Sequence, residues 1–366
     1  MFLYCFRKAP GIYSATCFKN NCVSSRLNFR HKALKKTFTY CLLLSIYCLL
    51  AACSRLPINT VSETKQIAVG PGPEDMVVDN SSGIERLLVS CNERRFDTVY
   101  GEIFEVKLND NSTRVIPRIN TPEDIVFNPH GIDLKTINGV TRLYAISHNN
   151  EKERHTIVVY RVYADSLVYE TLYENQAAMN TPNDLAVTEK GDIYLSNDAG
   201  KRGNIWEQLW KMKRSNVVFY DSELKLWKKV ADQLVYANGV AVDDTCVYVA
   251  TTRTNKLLSY KREADGNLSN RRTLAEVPGE DNIIFHGDEL IFTSHPKVFK
   301  FIKHVKSSEN KSPSQVHSYN RKTGEYKLLF TDDGYRISAS STALIIGDKL
   351  YISQVFDPYI LEVKLK

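Results

Sequence analysis

Beyond residue 53 the 366-residue chain keeps only two cysteines, Cys91 and Cys246, and neither sits in a Cys-x-x-Cys pair or a Cys/His cluster. That spacing gives no zinc site, and both residues, placed in or at the end of expected strands, read as buried free thiols rather than a bridge. No Gly-x-Ser-x-Gly turn occurs, which argues against a serine hydrolase built on a nucleophile elbow. An excess of one charge is also missing from the body. The formal charge of +6 comes from residues 1–52, which carry eight Lys or Arg and no acid; the rest holds 40 basic residues against 42 acidic ones. Nothing there suits nucleic acid. Sustained helical periodicity is nearly absent, which turns attention to strands.

The first 52 residues read as a leader, with an upstream extension before Leu27. Lys32, Lys35 and Lys36 lead into an apolar run, Thr37–Ala52, that is short for a membrane span. The run ends Leu50-Ala51-Ala52-Cys53, which resembles a bacterial lipobox, with a signal-anchor helix as the alternative. The expectation is a lipid on Cys53, a tether over 53–64, and an exported, membrane-anchored protein of the cell envelope.

The body repeats itself at intervals of roughly 45–60 residues. A polar head precedes an apolar run each time: Glu74-Asp75, His130-Gly131, Asn183-Asp184, Asn238-Gly239, Asp281-Asn282 and Ser340-Ser341-Thr342. About ten residues later comes a second strand, such as Arg86–Ser90 or Asp192–Ser196, and then alternating third and fourth strands, with turns such as Asp265-Gly266-Asn267 between them. Six such units predict an all-β, six-bladed β-propeller over 65–366, with the run after each head lining the pore. The last unit has three strands, and Lys65–Val69 is expected to supply the fourth and close the ring. Two β-sandwiches would not explain why every head falls at the same end of the same strand.

Two segments interrupt the repeat. Gly203–Ser215, with Trp206, Leu209, Trp210 and Met212, suits a short amphipathic helix, either a packed loop or a lid offering Trp206 to a substrate. Lys306–Ser314 reads as an exposed loop.

Brought together at the pore, the heads supply carboxylate and amide oxygens and no sulfur, a donor set for calcium rather than zinc or copper. Adjacent residues of an extended strand point in opposite directions, so paired heads can serve two stacked sites. Any single pair could instead be an Asx-turn capping a strand.

At this point the sequence resembles the serum paraoxonase and arylesterase family over roughly Gly70–Leu365. The matching stretches are Gly72-Pro73-Glu74-Asp75, Phe127–Ile132, Asn183-Asp184, Ala237-Asn238-Gly239, Asp281-Asn282 and Ser294-His295-Pro296. The resemblance implies two calcium ions in the channel. It implies a catalytic ion held by Glu74, Asn183, Asn238, Asp281 and Asn282, and a structural ion held by Asp75, Asp184 and the Ile132 carbonyl. It makes His130 the water-activating histidine and His148 its partner, and places His295 at the pocket wall. The family's vertebrate members tie the ring with a disulfide, for which Val355–Lys366 has no cysteine.

Read from the residues, a cation polarising a carbonyl and a histidine drawing a proton from water make a hydrolase of lactones and aryl esters. The alternatives are a non-catalytic, membrane-tethered propeller that binds a ligand or protein, and a single-metal sugar-lactone hydrolase of the gluconolactonase type.

Overall fold

The computed structural model describes residues 63–81, 83–96, 101–149 and 154–365. The leader, most of the tether and Cys53 lie outside the described residues. Six sheets follow one another along the chain. Blade 1 is Pro73–Asp79, Arg86–Asn92, Gly101–Lys107 and Thr113–Val115, and blade 2 is Pro129–Ile137, Val140–Asn149, Arg154–Val162 and Leu167–Glu174. Blade 3 is Pro182–Val187, Ile193–Asn197, Ser215–Asp221 and Leu226–Leu234; blade 4 is Ala237–Val242, Cys246–Thr251, Lys256–Arg262 and Leu268–Ala275. Blade 5 is Glu280–His286, Glu289–Ser294, Ser314–Asn320 and Tyr326–Asp332. The chain's last strands, Ser340–Ile346, Lys349–Gln354 and Tyr359–Lys364, make three strands of blade 6. The fold is the six-bladed propeller that the repeat implied.

Ring closure is as expected. Thr64–Ala68 pairs antiparallel with Tyr359–Val363, in register Thr64 with Val363 and Ala68 with Tyr359. The N-terminal strand thus completes the last blade by backbone hydrogen bonds, and Ile67 is buried beside Met76, Leu87, Tyr351 and Ile360. Blade 2 gains a short fifth strand, Arg118–Ile119, parallel to the start of Leu167–Glu174.

The core lies between blades rather than within one. Val77, Leu88 and Ile103 of blade 1 pack on Ile132, Leu143, Val158 and Tyr160 of blade 2, and five further clusters fill the other gaps around the ring. An inner strand therefore buries both faces, which is why these segments read as continuous apolar runs. The first strands stand side by side around the channel.

Cys91 is buried and Cys246 partly exposed, and both are free thiols. The Trp206 segment contains only a short helix, Ile205–Leu209 (α1). A second helix, Val298–Lys306 (α2), was not anticipated; its apolar residues Val298, Phe301, Ile302 and Val305 do follow helical spacing. The loop after it is exposed only at first, because Ser312 and Ser314 are fully buried.

Candidate active site at the mouth of the channel

Each polar head coincides with a break in strand register. The six irregularities fall at Pro73/Asp75, Pro129/Ile132, Pro182/Leu185, Ala237/Val240, Glu280/Ile283 and Ser340/Ala343. Bulges re-aim side chains and leave backbone groups without a ladder partner. Hydroxyls on the second strands fill part of that gap: Asp75 N–H donates to Ser90 Oγ (3.1 Å), Asn128 N–H to Ser147 (2.9 Å), Asp184 N–H to Ser196 (3.1 Å) and Thr342 N–H to Ser353 (2.8 Å). Simple alternation along an extended strand does not describe the heads; a repeated bulge does.

Two heads also explain their glycines. A Cβ on Gly131 would lie 2.6 Å from the Asn183 carbonyl oxygen and 2.9 Å from Asp184 Oδ1. A Cβ on Gly239 would lie 2.6 Å from the Asp281 carbonyl oxygen and 2.7 Å from Asn282 Cα. The head of the next blade occupies the space a side chain would need.

Glu74, Asn183, Asn238, Asp281 and Asn282 are all buried and converge. Asn238 Nδ2 donates to Asp281 Oδ1 (2.6 Å), Asn282 Nδ2 approaches Glu74 Oε1 (3.4 Å), and Ser341 Oγ donates to Glu74 Oε1 (2.9 Å). The amide nitrogens are thus turned away, and the oxygens are left over. Glu74 Oε2, Asn183 Oδ1, Asn238 Oδ1 and Asn282 Oδ1 are buried with no hydrogen-bond partner. Four orphaned oxygens in one set of five residues form a cradle for a hard cation, since a buried acceptor without a partner costs about 1–3 kcal/mol. Among the described residues no group of three or more His, Cys, Asp or Glu is arranged to hold a metal; this cradle draws three of its five members from amides.

Asp75 and Asp184 follow Glu74 and Asn183 on the same heads, and Asp75 reaches the Ile132 backbone. Asp75 Oδ2 accepts the Ile132 N–H (2.7 Å) and its Oδ1 accepts the Thr342 hydroxyl (2.7 Å) and the Met76 N–H (2.8 Å). Asp184 accepts the N–H groups of Leu185 and of Val240 in the next blade, both at 2.7 Å. Asp133 repeats the pattern toward Leu134 and Val187. These carboxylates therefore stitch blade to blade as well as lining the channel, a role the sequence reading did not foresee. Burial pushes Glu74 up to about 8, Asp75 to about 7 and Asp133 to about 6, and Asp184 well above the usual range with help from the Asp75 charge. Such shifts mark carboxyl groups whose ionised form is poorly compensated where they are buried, and a bound cation would reverse them.

His130 and His148 meet edge to face with ring centroids 5.0 Å apart. The hydrogen bond of His148 runs to His155, Nδ1 to Nδ1 at 3.1 Å, leaving its Nε2 buried and unpartnered. His130 Nδ1 lies 3.4 Å from Arg94 Nη2, and its Nε2 lies 3.6 Å from Glu74 Oε1. Burial, reinforced by the arginine charges, holds His130 and His148 well below the ordinary histidine range, so both are neutral near pH 7. His295 Nε2 is 2.7 Å from Asp281 Oδ2, its Nδ1 is buried without a partner, and its ring lies 4.4 Å from Phe301.

No contact of Trp206 with the oxygen set or the histidines is seen among the described residues. Trp206 is 60% exposed and Trp210 72%, whereas the aromatic surface touching a site residue is Phe301 of α2, with Phe356 behind it. Arg94, His155, Asp133 and Phe301 are the residues the sequence did not single out. The recurring serine at the end of the second strands was a visible signal; the arginine was not.

The fold and this site define a class, a six-bladed propeller with a buried, oxygen-rich centre and histidines at its mouth. The arylesterase family model matches residues 94–361, and the chain belongs to the arylesterase family. Serum paraoxonase/arylesterase 1 of Rattus norvegicus is 25% identical over 271 residues, covering 70% of this chain and 75% of that protein. Two solved propellers share the fold: a luciferin-regenerating enzyme (TM-score 0.55, 13% identity, 82% of this chain and 95% of that one) and a candidate gluconolactonase (TM-score 0.54, 14% identity, 84% and 93%).

Proposed function

We propose that the protein is a calcium-dependent hydrolase of lactones and aryl esters. The observation that carries this reading is the set of four orphaned oxygens on Glu74, Asn183, Asn238 and Asn282, grouped with Asp281 beside neutral histidines. Those five residues would hold a catalytic calcium ion, and Asp75, Asp184 and the Ile132 carbonyl a structural one. The chemistry such an ion supplies is polarisation of the substrate carbonyl and stabilisation of the oxyanion that develops on it.

The chain's own residues do the rest. The His130–His148 pair accepts a proton from the attacking water. Arginine only donates, so its contact places the His130 lone pair at Nδ1 and a proton on Nε2. For His130 Nε2 to accept the proton, the 3.4 Å contact with Arg94 must open. When His148 donates to His155, the free lone pair of the pair is instead at His148 Nε2. Phe301 and Phe356 form an apolar wall beside His295 that excludes water from one side. A lactone suits the site best, because its alkoxide leaving group stays tethered. Phenolates leave without much acid help, so aryl esters follow; amides, whose nitrogen must be protonated to leave, are inert.

We also propose that Cys53 carries a lipid that anchors the propeller to a membrane of the cell envelope, as the Leu-Ala-Ala-Cys run motivates. Among the described residues no helix is long and apolar enough to cross a membrane.

The deciding experiment is metal analysis of the purified protein, with hydrolysis of a lactone panel before and after chelation. Two calcium ions per chain and loss of activity with the metal are expected. Zinc, or full activity with no metal, overturns the reading, as does a calcium-loaded protein that hydrolyses nothing.

A further inference from the structure

Consecutive strands of blade 2 each carry a histidine at the mouth: His130 on Pro129–Ile137, His148 on Val140–Asn149 and His155 on Arg154–Val162. The ladder brings the last two together. His148 stands opposite His155, between the Ser147–Thr156 and Asn149–Arg154 pairs. Directly opposed residues lie close enough for their side chains to meet, and here they do: Nδ1 to Nδ1 is 3.1 Å, with ring centroids 4.9 Å apart and planes at 89°. His148 also faces His130, with 5.0 Å between centroids, so a row of rings runs outward across the blade. Both backbones are fixed. His148 N–H donates to the Asn128 carbonyl (3.1 Å), and Asn128 Nδ2 donates to the His148 carbonyl (3.0 Å). Gln176, just beyond the fourth strand, does the same for His155: its Oε1 accepts the His155 N–H (3.4 Å) and its Nε2 donates to the His155 carbonyl (3.3 Å). His148 is 2% exposed and His155 1%, so bulk water has little access to the contact.

A contact of this kind holds one proton. Burial keeps both imidazoles below the ordinary range, His148 well below it and His155 at about 4, so near pH 7 each carries a single N–H. One ring then donates and the other accepts, and the choice decides where the His148 lone pair lies. If His155 donates, the proton of His148 sits on Nε2 and its lone pair is spent at Nδ1. If His148 donates, Nε2 carries the lone pair, and that nitrogen is buried with no hydrogen-bond partner among the described residues. Only the second arrangement leaves His148 able to act as a base.

We propose that His155 is a positioning residue for His148: its Nδ1 accepts the His148 Nδ1–H, which fixes the tautomer and the ring angle and leaves the Nε2 lone pair to take the proton from water. The inference rests on the hydrolase reading above and assigns within it the group that readies the base. In the step itself an O–H bond of water breaks, its proton bonds to His148 Nε2, the water oxygen bonds to the substrate carbonyl carbon, and the carbonyl π pair moves onto its oxygen; the Nδ1 proton stays on His148. A neutral ring orients the base but does not offset the imidazolium that forms, so its hold is weaker than that of a carboxylate in the same place.

The test uses the calcium-loaded protein with His155→Phe, which keeps an aromatic ring but offers no acceptor, and His155→Gln, whose amide oxygen accepts. With a lactone substrate, kcat is expected to fall about tenfold or more in His155→Phe, short of the roughly 10²–10⁴ for outright loss of a general base, and to be largely restored in His155→Gln, with KM near the wild-type value in both. NMR of protein with isotope-labelled histidine nitrogens reads the tautomer directly. The His148 resonances, identified by their loss in His148→Gln, should show a protonated Nδ1 and a bare Nε2 in the wild type and in His155→Gln, and should lose that preference in His155→Phe. A wild-type His148 protonated at Nε2, an unchanged kcat in His155→Phe, or equal loss in the two variants overturns the proposal; equal loss would make His155 a packing residue. If His155→Phe does not fold, the wild-type tautomer and His155→Gln decide. If the wild type hydrolyses no substrate, the hydrolase reading fails, and the tautomer alone then decides whether His155 holds the His148 proton.

Discussion

Asn238 and His130 illustrate two ways in which a single residue can serve this site. Asn238 spends its nitrogen on Asp281 and Thr252 and leaves a buried oxygen without a partner. Asn238→Ala is expected to lower calcium affinity and depress all substrates together, measurable by calcium titration beside initial rates. His130 contributes no cradle oxygen. His130→Gln should retain calcium while lactone turnover falls by roughly 10²–10⁴, the usual span for a lost general base, and should affect phenyl esters less. Unchanged lactone turnover in His130→Gln, with His148→Gln inactive, would assign the base to His148. A different histidine links stability to pH. His317 is buried between the Ser294 hydroxyl and the Tyr326 hydroxyl, both 2.8 Å away, and burial lowers it to about 3. Its folded value lies below the unfolded one, so the unfolded chain takes up the proton first as pH falls. The contribution of His317 to stability is complete above about pH 6.5 and is lost toward pH 3, by up to about 1.4 kcal/mol per pH unit. His317→Phe should keep the stacking on Phe292 and Tyr326 and flatten this slope in denaturant titrations at stepped pH, although its Tm at neutral pH falls with the two lost hydrogen bonds.

At the scale of the element, the unit of the site is a bulged strand rather than a polar pair. The bulge turns the head into the channel, a second-strand serine takes a freed N–H in blades 1, 2, 3 and 6, and in blades 2 and 4 a glycine lets the next head approach. Gly239→Ala would force a methyl group against the Asp281 carbonyl and Asn282 backbone. Overpacking of that kind costs about 1–3 kcal/mol. The expected result is a lower Tm together with weaker calcium retention, because the displaced residues are those of the cradle; a lower Tm with unchanged calcium affinity would separate packing from the site. The recurrence of the heads was legible because period and polarity survive in one dimension. The bulges were not, since register depends on which partner residue stands opposite. Helix α2 was hidden for a related reason: Val298–Lys306 has helical spacing, but nine residues inside a β-rich chain give a weak signal next to sixfold strand periodicity. It carries Phe301 to His295 of the candidate site and buries His304, whose Nε2 lies 3.0 Å from Arg95.

For the whole molecule, ring closure and the proposed lipid tether fall at the same end of the chain. Thr64–Ala68 is a strand of blade 6, so a lipid on Cys53 would sit about ten residues from the ring itself. Ten residues extend to at most about 36 Å, which keeps the propeller close to a membrane surface. Cys53→Ala is expected to move the protein from the membrane to the soluble fraction with turnover per molecule unchanged. Mass spectrometry of the N-terminus supplies the direct check, and an unmodified Cys53 in the native protein would end the idea.

The sequence by itself determined the architecture, the number of blades and the strand that closes the ring. Those follow from local facts, namely apolar runs, turn residues and a period that repeats six times. It also determined the chemistry on offer, because five of the six heads carry oxygen side chains and none carries sulfur, which argues against a thiolate metal site. Tertiary structure alone decided which atoms remain free. Whether Asn183, Asn238 and Asn282 present oxygen or nitrogen to the channel depends on partners far away in the chain, such as Asp281 for Asn238 and Thr342 for Asn282. The same is true of His130, whose nearest charges, Glu74 and Arg94, arrive from blade 1. Hydrogen bonds of that reach are set by the closed ring, and no stretch of sequence carries them alone.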